Sequence, residues 1–149
     1  MIEVKRYTDA DANLWNKFNA ESKNPLFMFD RNYMDYHRDR FQDHSLMFYE
    51  EEKLVAILPM SERENELVSH GGLTYGGFIT DNKMKQHTMN ECVTSLLQYA
   101  ETEGFDRVYY KVIPHIFHEQ PAEEDRYALF VQNARIEKIE ASTVINLKK

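Results

Sequence analysis

Apolar and polar positions alternate from Ile2 to Arg6, the period-2 mark of a short strand, and the period then lengthens. Leu14, Trp15 and Phe18 share one helical face behind Thr8-Asp9-Ala10-Asp11, where Thr8 suits a cap and the two aspartates suit the positive end of a helix. Asn24-Pro25 stops that helix. Asp30 opens a second, along which Tyr33, Met34, Tyr36, His37 and Phe41 recur at helical spacing. Three strands are predicted next, over residues 45–50, 54–62 and 66–69, with the polar stretches Glu51-Glu52-Lys53 and Arg63-Glu64-Asn65 as the turns of an antiparallel meander. Pro59 disturbs the middle strand because it has no N–H to give to a ladder. Further on, Met89, Val93, Leu96, Leu97 and Ala100 make the strongest helix face, and Gly104 is placed to end it in a left-handed conformation. A strand over 105–113 stopped by Pro114, a helix over 123–133 and a last strand alternating through Ile139, Ala141, Thr143, Ile145 and Leu147 complete the series. The order β-α-α-β-β-β-α-β-α-β predicts an α/β (α+β) domain, a mixed and largely antiparallel sheet with helices packed on its faces.

Composition narrows the classes open to such a domain. With 149 residues, 42% of them hydrophobic, and no repeat or linker, residues 1–149 are expected to form a single domain. A formal charge of -7 disfavours nucleic acid as the main partner, since phosphate affinity comes from lysine and arginine releasing counterions. No run approaches the ~20 apolar residues that span a bilayer, and residues 1–6 do not read as a signal peptide, so no membrane partner and a cytoplasmic location are expected. The single cysteine, Cys92, falls in a helical pattern and reads as a packed side chain; no basic neighbour supports a reactive thiol.

Four of the five glycines, Gly71, Gly72, Gly76 and Gly77, cluster between a predicted strand and the strongest helix. Such a cluster serves either as a backbone wall for a ligand, here with Tyr75 as a polar aromatic floor, or as a tight crossover needing positive φ. His70 before it is a ring-nitrogen donor to a ligand or a satisfied residue at a strand end. Alternation along 105–113 turns Tyr110 inward with Val108 and leaves Lys111 opposite, available to an anion. His115 and His118 stand three apart in the loop after Pro114, with Glu119 beside them. They lack the third and fourth ligands a zinc site needs, so no metal is assigned. His118 better suits a base, since imidazole titrates near neutral pH. The acids Glu123-Glu124-Asp125 are either a helix start or a source of a carboxylate base, for which Glu123 is the candidate. The stretch 31–41 mixes arginines with aromatics, which suits a sugar nucleotide or, more simply, a helix packing its aromatics and solvating its charges.

Four segments, taken in order and spacing, resemble the acyltransferases of the GNAT superfamily: Pro25-Leu26-Phe27-Met28-Phe29-Asp30, Leu54-Val55-Ala56-Ile57-Leu58-Pro59, the glycine loop, and Tyr110-Lys111-Val112-Ile113-Pro114 leading to Pro121-Ala122-Glu123-Glu124-Asp125. The details look most like the N-terminal half of the FemAB-related branch associated with cell-wall and polysaccharide biosynthesis. The resemblance implies an N-acyltransferase unit that passes an acyl or aminoacyl group to an amine of a cell-envelope sugar or peptidoglycan precursor. It implies acyl-CoA (acetyl-CoA) as cofactor or a tRNA ester as donor, and a small amine or amino sugar as acceptor. Under it, His118 and Glu123 are the catalytic candidates, while Gly71, Gly72, Tyr75, Gly76, Gly77, Tyr110, Lys111 and His115 are the substrate-binding ones. One departure stands out. The glutamine- or arginine-led glycine turn that holds the cofactor's diphosphate at a helix start in this superfamily is not found here. The chain is therefore expected to be the acceptor-binding first half of a tandem. The alternative is a non-catalytic ligand-binding or dimerisation module, for which the edge offered by the last strand predicts a homodimer.

Overall fold

A computed structural model describes residues 1–141, 143–145 and 147. In chain order these form β1 (Ile2–Arg6), α1 (Ala12–Glu21), α2 (Arg31–Met34), β2 (Gln42–Asp43), β3 (Leu46–Glu50), β4 (Lys53–Leu58), β5 (Ser61–Arg63), β6 (Glu66–Val68), β7 (Ile79–Thr80), α3 (Gln86–Thr102), β8 (Arg107–Tyr109) and α4 (Glu124–Val131). Pro59 cuts the run 54–62 in two: β4 ends before it, and β5 begins two residues later in a different sheet. One sheet has the order β1-β3-β4-β7 and is antiparallel throughout. The other has the order β2-β5-β6-β8, in which β6 and β8 are parallel.

The first sheet is buried on both faces. Leu46, Phe48, Ala56 and Leu58 lie under α3, which returns Met89, Cys92, Val93, Leu96 and Ala100 at helical spacing. From the opposite face Met47, Ile57 and Ile79 meet Trp15, Leu26, Phe29, Met34 and Tyr75. Full burial of such side chains stabilises by about 1.5–3 kcal/mol each. Phe48 pairs with Ala56 and Tyr49 with Leu54, so Val55 is an extra residue in β4; this bulge sends Val55 to the α3 side and Leu54 to the other. Burial pushes the Cys92 thiol up to about 12, which keeps it inert. At the C-terminus of α3, Gly104 takes φ 83°, with Phe105 N–H donating to Ala100 O (2.9 Å) and Gly104 N–H to Glu101 O (3.1 Å).

Two predicted elements differ. The helix expected from Asp30 is a single turn followed by a tight turn over Asp35–His37. Its anchor is a cation and not an apolar stripe: Arg31 is 2% exposed, lies 3.6 Å from the Tyr7 ring and pairs with Asp43 at 3.1 Å and Asp35 at 3.4 Å. Tyr33 and Tyr36, expected inside, face outward. The last strand is not formed among the described residues. After Asn133, whose φ of 57° ends α4, no strand pairing is present among the described residues, and Ile139 and Leu147 are 81% and 88% exposed. Alternation makes a segment amphipathic but does not supply it with a partner. Ser142, Asn146 and Lys148-Lys149 of that predicted strand lie outside the described residues.

The two sheets are joined by the crossover 70–78, which starts at a strained residue. His70 holds φ 41°, is 6% exposed, and its Nδ1 has no hydrogen-bond partner. Burial pushes the imidazole down from 6.5 to about 4, opposed by the charge of Asp43. The unfolded chain therefore takes up this proton near pH 6.5 and the folded one only near pH 4. The contribution to stability is complete above the upper value and is lost as pH falls through the interval. Chemical denaturation of wild type against His70→Asn, a residue that tolerates left-handed backbone, is expected to show an extra loss in wild type on acidification, of up to roughly 3 kcal/mol. Parallel pH profiles would contradict it.

Candidate functional site

β6 and β8 run side by side from Glu66↔Arg107 to Val68↔Tyr109 and then part, one chain crossing to β7 and the other continuing to Pro114. A parting between parallel strands frees backbone groups and opens a slot, so what fills it decides what the site can bind. Here the chain fills it with its own groups. Ser69 N–H donates to Tyr109 O (2.8 Å), and Lys111 N–H donates to Ser69 Oγ (2.6 Å). The Lys111 ammonium donates to His70 O (2.6 Å) and Leu73 O (2.5 Å), and burial lowers its pKa. Lys111 thus lies opposite Tyr110 as the alternation predicted, yet it serves the crossover's carbonyls.

The glycine cluster is packed as a crossover along this slot. A Cβ at Gly76 would lie 2.5 Å from Ser69 O, and Gly77, at φ 102°, sits where a Cβ would meet Ile113 and the Tyr110 hydroxyl at 3.1 Å. Gly71 and Gly72 face the Phe41 ring at the outer end. Tyr75 is 6% exposed, stacked on Phe117 at 4.9 Å and edge-on to Phe29. Its place is inside the wall, not on an open floor.

Beyond the slot a polar group gathers around Tyr110. Its hydroxyl accepts from Phe78 N–H (2.9 Å) and donates to Asp125 Oδ2 (2.5 Å) at the start of α4. Burial, then the charge of Asp125, raises the Tyr110 pKa well above its usual value, so the phenol is a donor at neutral pH. Burial also raises the Asp125 carboxyl, with the Tyr110 hydrogen bond opposing. His118 lines the same small cavity of about 20 Å³ together with Asn24, Thr80, Glu124 and Asp125, with Phe78, Met89 and Ile113 as its apolar side. Burial lowers the His118 pKa and Asp125 opposes, which keeps the imidazole neutral and able to take a proton. The cavity has room for about one water molecule.

The walls of this cavity are tied to the α1–α2 connection. Lys23 pairs with Glu124 and its N–H donates to Thr80 O (2.9 Å). Asn24 exchanges two bonds with Gln120, Nδ2 to the carbonyl at 3.0 Å and Oδ1 from the amide at 2.9 Å. His115 points to solvent, three residues from the inward His118, and Glu123 is 65% exposed and paired with Arg126 at 2.7 Å. Of the sequence candidates, then, Tyr110, His118 and Gly77 come together, while His115 and Glu123 stand apart. Asp125 takes the enclosed place, and its spacing to Ala128 and Leu129, three and four residues on, is the sequence signal that marks it as inward. Sequence reasoning also passed over the buried His44, whose ring nitrogens meet Glu62 and the Tyr99 hydroxyl, each at 2.7 Å, and tie β2 and β5 to α3 away from the slot.

The superfamily that the sequence resembles holds a diphosphate at a helix start; here no glycine turn precedes α3, and its first turn receives no side-chain cap. In the turn ahead of α3, Asp81 accepts from the Lys83 amide (3.1 Å) and pairs with Lys53. Gln86 Nε2 donates to Glu124 O (2.8 Å), which brings the acidic start of α4 against the start of α3.

No protein-family model matches the chain, and no curated protein matches it. Solved structures match almost its whole length. A possible acetyltransferase from Clostridium difficile 630 is 13% identical, with 98% of this chain and 99% of that chain covered and a TM-score of 0.58. The ribosomal-protein-alanine N-acetyltransferase from Brucella melitensis biovar Abortus 2308 is 12% identical, with 98% and 100% covered and a TM-score of 0.59. An aminoglycoside N-acetyltransferase solved in complex with CoA is 9% identical, with 100% and 96% covered and a TM-score of 0.53. At these identities the likeness is one of architecture: the chain has the mixed α/β fold of the GNAT acetyltransferases.

Proposed function

We propose that this chain is the acceptor-side unit of a GNAT-type N-acyltransferase, related in kind to the FemAB branch and acting on a primary amine of an amino sugar or peptidoglycan precursor. The observation that carries the acyltransferase reading is the match of nearly the entire chain to acetyltransferase structures, one of them holding CoA. The acceptor-side reading is supported by the slot between β6 and β8, which the Ser69 hydroxyl and the Lys111 side chain occupy. The donor, an acyl-CoA or a tRNA ester, is then held by a second half or another chain.

Within this unit His118 takes the proton that the amine must lose before it attacks, and Asp125 stabilises the imidazolium that results. Tyr110 fixes the Asp125 carboxylate through its hydroxyl. Glu123, solvated and paired with Arg126, leaves the carboxylate role to Asp125. In this reading the glycine crossover, with Tyr75 and Lys111 packed against it, is the acceptor's wall, and the solvent-exposed His115 is not part of it.

A second reading is favoured by one observation. A cavity of about 20 Å³ has no room for an amine of any size without rearrangement, as expected of a module that keeps the fold without the chemistry. Calorimetry separates the two. The acceptor-side reading expects saturable binding of glucosamine or of a lysine-ended stem peptide and none of acetyl-CoA, with amine binding lost in His118→Ala. Saturable acetyl-CoA binding by the lone chain would contradict it, and silence toward every amine would leave the module. With the donor half supplied, His118→Ala is expected to lower transfer roughly a hundredfold.

A further inference from the structure

Between β8 and α4 the chain forms a strap, residues 114–121, with a proline at each end. Neither proline has an N–H to give, so the strand does not run on into the strap and the helix does not reach back into it. Both flanks are fixed. Ile113 before it is buried with Phe29 and Tyr75, and after it Gln86 holds the Glu124 carbonyl while Tyr110 holds Asp125.

The strap itself is held lightly. Its two backbone bonds are local, Phe117 N–H to Pro114 O and His118 N–H to His115 O, each at 3.0 Å. Among the described residues, its hydrogen bonds to the rest of the molecule all go to one side chain. Asn24 gives Nδ2 to Gln120 O (3.0 Å) and takes Gln120 N–H on Oδ1 (2.9 Å). The other hold is the Phe117 ring stacked on Tyr75, and Ile116 and Phe117 are still 44% and 43% exposed. Asn24 stands on firmer ground: it is buried, Lys23 N–H beside it donates to Thr80 O (2.9 Å), and Asn19 makes a second reciprocal exchange, with Leu26, at 2.8 and 3.3 Å. A segment with few buried contacts, fastened at one point to a rigid neighbour, is the kind that opens locally.

The strap also carries His118, whose ring lines the cavity shared by Asn24 and Asp125. From this placement we infer that residues 114–121 are a lid latched by Asn24. When the exchange with Gln120 breaks, His118 moves away from Asp125 and the cavity opens to an incoming amine; when it re-forms, base and carboxylate come together over what has entered. The latch grips backbone atoms of the strap, so the Gln120 side chain is replaceable and Asn24 is not. The lid's purpose rests on the reading of His118 as the base, but its motion belongs to the free chain.

Two probes of the full chain test it. Hydrogen exchange at the Gln120 amide is expected to be roughly tenfold slower than in a short peptide, yet faster than at Phe78 and Lys111 and insensitive to low denaturant. Diethyl pyrocarbonate, which reacts with neutral imidazole, reads the open lid at His118, with exposed His115 as the reference in the same strap. Asn24→Ala is expected to raise the ratio of His118 to His115 modification roughly tenfold, and Gln120→Ala to leave it unchanged. Exchange at Gln120 only together with Phe78 and Lys111, an equal ratio in wild type and Asn24→Ala, or an equal rise in both variants would overturn the lid. Should Asn24→Ala not fold, exchange in wild type decides. A fixed strap in a chain whose amine binding is lost in His118→Ala removes the lid and keeps the proposed function, whereas a moving strap in a chain that binds no amine does the reverse.

Discussion

The hydroxyl of Tyr110 joins three parts of the molecule that no ladder connects. It accepts from Phe78, the residue leading into the first sheet, it belongs to the strand that continues the second, and it donates to Asp125 at the start of α4. An enclosed hydroxyl with both roles used stabilises modestly, about 1 kcal/mol per bond, but removing it would strand a buried amide and a carboxylate at a larger cost. That asymmetry fixes the slot between the sheets in a closed form. Gly77 is a glycine because its φ of 102° strains any other residue, with the phenol and Ile113 only 3.1 Å from where a Cβ would sit, and Lys111 turns to the carbonyls of the crossover.

Closure also sets the electrostatics of the site. Lys111, His118 and Asp125 all shift toward their neutral forms, and burial is the largest cause in each. The site is therefore a compact arrangement of proton donors and acceptors with little room around it. Chemistry on an amine there requires the loop 115–122 to yield, and the bonds that resist are the Asn24–Gln120 exchange and the Lys23–Glu124 pair. These connect the loop and the start of α4 to the α1–α2 connection, which leads into the buried Arg31.

Elements whose cause is local were legible in the sequence. The face of α3, its glycine terminator and the hairpin at Glu51-Glu52 all follow from periodicity or from a backbone rule, and the structure contains each of them, whereas the single strand expected over 54–62 is split at Pro59 between two sheets. What escaped depends on distant partners. Arg31 looked like a solvated charge because its acceptors, Asp43 and Asp35, and its aromatic bed, Tyr7 and Trp15, come from separate segments. In the acidic run, charge alone favoured Glu123 equally with its neighbours, and only the helical phase set by Ala128 turns Asp125 inward. The last strand was read from alternation, which describes the segment and says nothing about an edge to receive it.

The central claim is that the chain's own side chains hold the slot between the sheets shut, which under the proposed acceptor-side reading leaves the thioester carrier to a second half or another chain. Amide hydrogen exchange at Phe78 and Lys111, followed with and without acetyl-CoA, reads this directly. Slow exchange at both amides, unchanged by saturating acetyl-CoA, is the predicted result. Fast exchange in the free protein, or protection that appears only when acetyl-CoA is added, would mean that the slot is open and belongs to the cofactor.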